Sequence, residues 1–168
     1  MKKLLSHIVT LALAVFGLVC LFFPVLGIEM GGVTVTTPLK EVLSAGSEGA
    51  KWYDVVCMIS TWGLIIVCVA FIALGVIGLL NATGTTKIEL PAIVTRVAYT
   101  AFAAVCLLLF ISVFFMVLDG NAEFDKMGVG SLASVKIGFA PIFALVLGAG
   151  AAVWHYVLEA KFSAPEAE

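Results

Sequence analysis

The sequence predicts an all-α membrane protein, a bundle of four transmembrane helices with a short β-hairpin in its first outer loop. Three observations carry this. Four stretches, His7–Ile28, Val55–Leu80, Val97–Leu118 and Ile137–Leu158, run almost without charge. A bilayer's hydrocarbon core of roughly 30 Å needs about 20 helical residues at ~1.5 Å rise each, so each stretch can span it. The second observation is composition: 62% of residues are hydrophobic and 12% charged, against roughly 45–50% and 25% in soluble domains. The charged residues fall between or at the ends of the apolar runs, as required where an unpaired charge at midplane costs at least ~2.5–3.5 kcal/mol. The third is the segment Ile28 to Thr36, whose residues alternate around Gly31-Gly32. Gly tolerates the positive φ of a two-residue hairpin turn.

The elements follow in order. Helix one is expected from Lys3 to about Leu26, with Pro24 kinking or stopping it because proline lacks a donor and crowds the preceding turn. A cleaved export signal would also begin with Lys2 and Lys3. Its apolar part would be only ~7–15 residues with small residues after it, whereas Phe22, Phe23, Pro24, Val25 and Leu26 stand there. Val19 before Cys20 argues against a lipoprotein site, so the segment is kept as a mature helix. After the hairpin, Thr37-Pro38 reads as an N-cap and first helical residue. Leu39, Val42 and Leu43 would then form the apolar side of a short interfacial helix.

Helix two starts between Ser47 and Trp52 and ends by Asn81, with Trp52 and Tyr53 at the level of an aromatic belt. The short inner loop to Leu90 makes helices two and three antiparallel neighbours. Helix three runs from Pro91 to Leu118 and is expected to stop at Asp119-Gly120-Asn121. A second outer loop follows, Asn121 to about Gly130. Helix four begins in Ser131–Gly138, contains or starts at Pro141 and ends near Lys161. The spans are thus about 4–27, 52–80, 91–118 and 136–159 within one domain, 1–161, followed by a polar tail, 162–168.

With the amino terminus inside, five basic residues lie inside (Lys2, Lys3, Lys87, Arg96, Lys161) and four outside (Lys40, Lys51, Lys126, Lys136). The Lys2-Lys3 pair beside the first span tips the orientation to both termini inside, in an inner (plasma) membrane.

Small residues mark one expected site. Ala140, Ala144, Gly148 and Ala152 recur every four residues on helix four, and Gly75 and Gly78 lie near the inner end of helix two. Small side chains let helix backbones approach where lipid supplies no hydrophobic drive, either within the bundle or against another subunit. The hairpin residues Glu29, Gly31, Gly32, Val33 and Val35 form the second, an outer docking surface that a partner strand can extend. Cys20, Cys57, Cys68 and Cys106 fall inside spans without metal-ligand spacing and read as apolar fillers. His7, Arg96 and His155 sit near the inner ends, with Glu159 one turn after His155. Ser60, Thr61, Thr100 and Ser112 can bond helix carbonyls, and Trp62 reads as a packing residue deep in helix two.

No ionisable residue occurs near the centre of a span, which proton-coupled carriers and voltage sensors usually need. The sequence has no phosphate-cradling, zinc-protease or nucleophile-elbow motif, and net charge is −2, which excludes a basic nucleic-acid surface. No cofactor, metal or catalytic residue is expected.

The short inner loop, the longer first outer loop with its hairpin and the inner termini resemble the tetraspan layout of claudins. The claudin pattern of a tryptophan, Gly-Leu-Trp and two cysteines is absent from Gly31–Ala50, and Trp62-Gly63-Leu64 lies within span two, so the resemblance implies architecture alone. The Met-Lys-Lys opening and Phe23-Pro24 ending of helix one resemble small bacterial tetraspan proteins of unknown function, from which no functional residue carries over. The expected function is a structural or accessory membrane subunit whose partners are lipid and other membrane subunits or its own copies. A channel or carrier for neutral or lipophilic solutes is the alternative. A membrane-embedded enzyme ranks third, on His155 and Glu159 alone.

Overall fold

The computed structural model describes residues 2–44, 50–88 and 91–158. Among them, four helices are long and apolar enough to cross a membrane, and a three-stranded antiparallel sheet stands at one end of their bundle. The Ser47 start considered for helix two, Glu159, Lys161 and the tail 162–168 lie outside the described residues.

Helix α1 spans Lys2–Val19 and tightens into a 3₁₀ turn at Cys20–Phe22. The helix therefore ends several residues before the expected Leu26. A residue preceding proline is pushed out of the helical region, and Phe23 is extended at φ −83°, ψ 152°. Pro24 opens a strand rather than kinking a helix. Strand β1 is Pro24–Met30 and β2 is Val33–Pro38, joined through Gly31 (φ 56°) and Gly32 (φ 83°). Two successive positive φ values are the type I′ geometry that matches strand twist, so the expected hairpin is present. Thr37 and Pro38 belong to β2, opposite Leu26 and Pro24, and do not cap a helix. Leu39–Ser44 is 3₁₀, with Leu39 fully buried.

Helix α2, Trp52–Ala82, begins where the Asp54 side chain accepts the Lys51 backbone N–H at 2.8 Å. It ends at Gly84, where Gly84 N–H reaches Asn81 O and Thr85 N–H reaches Leu80 O. That pair of bonds is a Schellman cap. Helix α3 runs Ala92–Lys126, two turns past the expected stop at Asp119-Gly120-Asn121. Its true terminator is Gly128 (φ 75°), with the same pair of bonds, Gly128 to Asp125 and Val129 to Phe124. The segment Ser131–Gly138, expected to open helix four, instead contains β3, Ala133–Ile137, paired antiparallel with β1 to give the order β2-β1-β3. Helix α4 starts after it, at Phe139 rather than within Ser131–Gly138, with Pro141 in its first turn. It passes at Val153 into a π turn over Trp154–Leu158.

Successive helices pack as neighbours, α1 on α2, α2 on α3 and α3 on α4, and α4 closes more lightly on α1. Leu64, Cys68, Phe71, Phe102, Cys106 and Leu109 fill the centre, each at most 1% exposed. Phe71 and Phe102 stack at 5.1 Å between centroids.

Candidate docking site at the sheet end

Asp119, Gly120 and Asn121, one turn of α3, organise the sheet end. A Cβ on Gly120 would lie 2.7 Å from Val135 Cγ2, so only glycine lets β3 sit this close to the helix. Beside it, Asn121 Nδ2 donates to Val135 O at 3.0 Å, while Val135 N–H donates to Asn121 Oδ1 at 2.8 Å. The side-chain amide thus stands in for a neighbouring strand and closes the outer edge of β3. Asp119 Oδ2 accepts from Tyr53 Oη at 2.7 Å and pairs with Lys51. That carboxylate hydrogen bond holds the Lys51 ammonium above its usual range. The triplet that reads as a helix terminator is the fastening of β3 and α2 to α3.

Residues opposite one another in a sheet share a face. One face carries Leu26, Ile28, Met30, Val33, Val35, Ala133, Val135 and Ile137. Where it meets α3 it is covered, with Ala133 and Val135 buried, but Val33 and Val35 are 64% and 63% exposed and Met30 is 57%. The other face is polar: Glu29, Thr34, Thr36, Ser134 and Lys136, with Glu29 paired to Lys136.

The two sheet edges differ. β3 is closed by Asn121, whereas Val33, Thr34, Val35 and Thr36 on β2 are all exposed. A two-residue turn makes Met30–Val33 a hydrogen-bonded pair, and alternation then makes Ile28–Val35 another. The N–H and C=O groups of Thr34 and Thr36 therefore point away from the sheet. Of the expected docking residues, Val33 and Val35 supply apolar surface, Gly31 and Gly32 the turn, and Glu29 an ion pair on the opposite face. The free backbone edge belongs to Thr34 and Thr36. Sequence reading missed both, although parity counted from the Gly-Gly turn would have found them.

The small-residue faces meet neighbours inside the chain. A Cβ on Gly148 would lie 2.7 Å from Cys106 Cβ and 3.4 Å from Ala103 Cα, and one on Gly75 would meet Leu11 at 2.5 Å. Gly78 abuts the His7 ring. Ala140, Ala144 and Ala151 are fully buried, while Ala152 is only half-buried. A helix turns every 3.6 residues, so a strict four-residue repeat drifts and the buried line steps by three at its end. The four cysteines are buried free thiols. Thr61 and Ser112 bond Cys57 O and Leu109 O, and Thr100 bonds Arg96 O and Tyr156 Oη. Trp62 is 50% exposed on the bundle surface rather than inside it. Among the described residues no group of three His, Cys, Asp or Glu could hold a metal.

At the opposite end, where α1 starts and α4 finishes, Thr10 Oγ1 lies 2.7 Å from Tyr99 Oη and His155 stacks on Tyr99 at 4.7 Å. This cross-helix chain has no sequence signature. Comparison with known protein families, with curated proteins and with solved structures finds no match.

Proposed function

We propose that this chain is an integral membrane accessory subunit that engages partner membrane proteins through the sheet end. Its setting is the inner (plasma) membrane of a bacterium, with both termini inside and the sheet outside. One observation carries the reading: β2 keeps an open backbone edge flanked by uncovered Val33 and Val35, while the opposite edge is closed by Asn121. Uncovered apolar surface beside an unpaired edge fits an extended segment of a partner, added as a strand. Orientation draws support from charge. Lys2 and Lys3 open the first span at the end opposite the sheet, where Lys87 and Arg96 also lie, and a basic pair beside the first helix favours that end as the inner one, although Lys40, Lys51, Lys126 and Lys136 lie toward the sheet. The filled centre, with Phe71 stacked on Phe102, favours packing over conduction.

Thr34→Pro tests the reading, because it removes an outward N–H and leaves the inner ladder of β2 intact. Wild-type chain in native membranes should form a defined crosslinked assembly from residues on β2, and Thr34→Pro should lose it without losing thermal stability. An assembly that survives both Thr34→Pro and Thr36→Pro, or no assembly in the wild type, refutes docking through this edge.

A further inference from the structure

Strand addition at β2, proposed above and assumed here, restricts what the occupant can be. The strands run along α3 rather than across the end of the bundle. Asp125 of α3 abuts Gly130, while Gly120, earlier on the helix, abuts Val135, later in the chain. Two contacts that step in opposite senses set β3 antiparallel beside α3. β1 and β2 are antiparallel neighbours in the same sheet and share that axis. One face of the sheet rests on α3 at Val135, so the perpendicular to the sheet crosses the helix axis. Transmembrane helices tilt by only about 20° on average. With α3 across the membrane, the strands stand near the membrane normal and the perpendicular lies near the membrane plane.

A second copy does not fit this edge. Two copies in one membrane with the same orientation are related by rotation about the membrane normal. Two β2 strands pair antiparallel only about a twofold perpendicular to their sheet, which here lies near the membrane plane. That rotation would turn the second bundle over and lift its spans out of the lipid. A twofold along the normal makes the strands parallel and puts each residue level with its own copy. The outward N–H and C=O groups of Thr34 and Thr36 would then meet the same groups of the same residues, whereas a parallel ladder needs slanted bonds between staggered groups. Head-to-tail pairing onto the far edge fails as well, because Asn121 already holds the Val135 N–H and C=O. Among the described residues there is no fourth strand to serve instead.

Area and charge describe the partner. β2 has 6 residues, about 20 Å at ~3.3 Å each, and a sheet is about 10 Å thick. Its edge therefore presents roughly 200 Å², against about 800 Å² per partner in a stable interface. The rest must come from surface continuous with the edge. At its inner end, Leu39 N–H bonds Phe23 O at 2.9 Å, and Phe23 directly follows the last turn of the first helix. The edge thus leads down to the level where the spans begin, and spans lying side by side below it supply the missing area. Val33–Pro38 carries no charge, and Glu29 on the polar face is already paired with Lys136. A charged residue laid along β2 would find no counter-charge there.

We propose that the occupant of the β2 edge is an uncharged outer segment of a different membrane protein, adjoining one of that protein's own spans. Its apolar residues continue the face of Val33 and Val35, and its polar residues continue that of Thr34 and Thr36.

The test co-expresses two full-length copies with different tags in native membranes, both carrying Thr34→Cys, Val35→Cys or Thr36→Cys. In a symmetric antiparallel self-pairing through the outward groups, one of these residues lies on the twofold opposite itself. Its Cα atoms would be about 4.5–5.5 Å apart, within disulfide reach. The four native cysteines are buried and leave the new thiol as the reactive one. Mild oxidation should give no disulfide joining the two tags. A photoreactive maleimide on Thr34→Cys should give an adduct with a single tag, and peptide mapping should place it in an uncharged stretch bordering a span of the second protein. Adding Thr36→Pro should abolish that adduct and leave the melting midpoint unchanged. A disulfide or adduct that joins both tags overturns the inference while leaving edge docking in place. An adduct mapped to a charged segment, or to one remote from any span, overturns it too. No adduct at all removes edge docking itself, and the inference falls with it.

Discussion

Asn121→Leu tests how the sheet is held to the bundle. The leucine side chain is close to asparagine in size but neither donates to Val135 O nor accepts from Val135 N–H, at present bonded at 3.0 and 2.8 Å. Val135 is only 8% exposed, and an apolar side chain in the same place keeps water away. Stranding a buried polar group costs about 1–3 kcal/mol. Two such groups on a partly relaxable edge therefore put the loss at roughly 2–4 kcal/mol. For a chain of this length each kcal/mol moves the melting midpoint by about 2–4 °C, so a fall of order 5–15 °C is expected. Thermal unfolding in micelles measures it, and hydrogen exchange localises it. The Val135 amide should exchange at least about 30-fold faster, since each 1.4 kcal/mol is tenfold. Asn121→Ala is the companion variant: it opens room for a water to bridge Val135, so it should cost less than Asn121→Leu. If Asn121→Leu melts like the wild type, or leaves Val135 equally protected, the amide is not what closes β3 and the contrast between the two sheet edges is lost.

The other predictions concern packing and the outer rim. Gly148→Leu should destabilise the bundle by about 3 kcal/mol or more, beyond the usual ~1–3 kcal/mol of overpacking, because even a Cβ there falls 2.7 Å from Cys106 Cβ; an unchanged melting midpoint would sink this. Tyr53→Phe should lower the midpoint more than Lys51→Met, since Tyr53 is 8% exposed while the side chains of Lys51 and Asp119 are 49% and 37% exposed. The reverse order in a melting series would show that the ion pair dominates. All four cysteines, being buried, should resist maleimide in the folded protein and react after denaturation. Fast labelling of any one in micelles would contradict its burial.

Apolar run length and the Gly31-Gly32 pair were sufficient for the four helices and the hairpin. Both are local signals, set by the reach of a helix across hydrocarbon and by the φ a turn requires. Helix ends were harder to read. Pro24 was visible, but whether it kinks a helix or opens a strand depends on whether β3 is there to pair with β1. Gly120 shows why the outer end was misread. A glycine beside an aspartate and an asparagine looks like a stop, yet it lies inside α3 as the place where Val135 approaches.

The sequence by itself determined which segments can lie in lipid, because desolvating backbone and charge is decided by each segment's own composition. Only the tertiary structure decided which small residues meet which helix, that β3 exists, and which sheet edge stays open. Those outcomes depend on hydrogen bonds and contacts between residues far apart in the chain, such as Asn121 with Val135 and Thr10 with Tyr99. No periodicity within one segment encodes a bond whose other half lies in another.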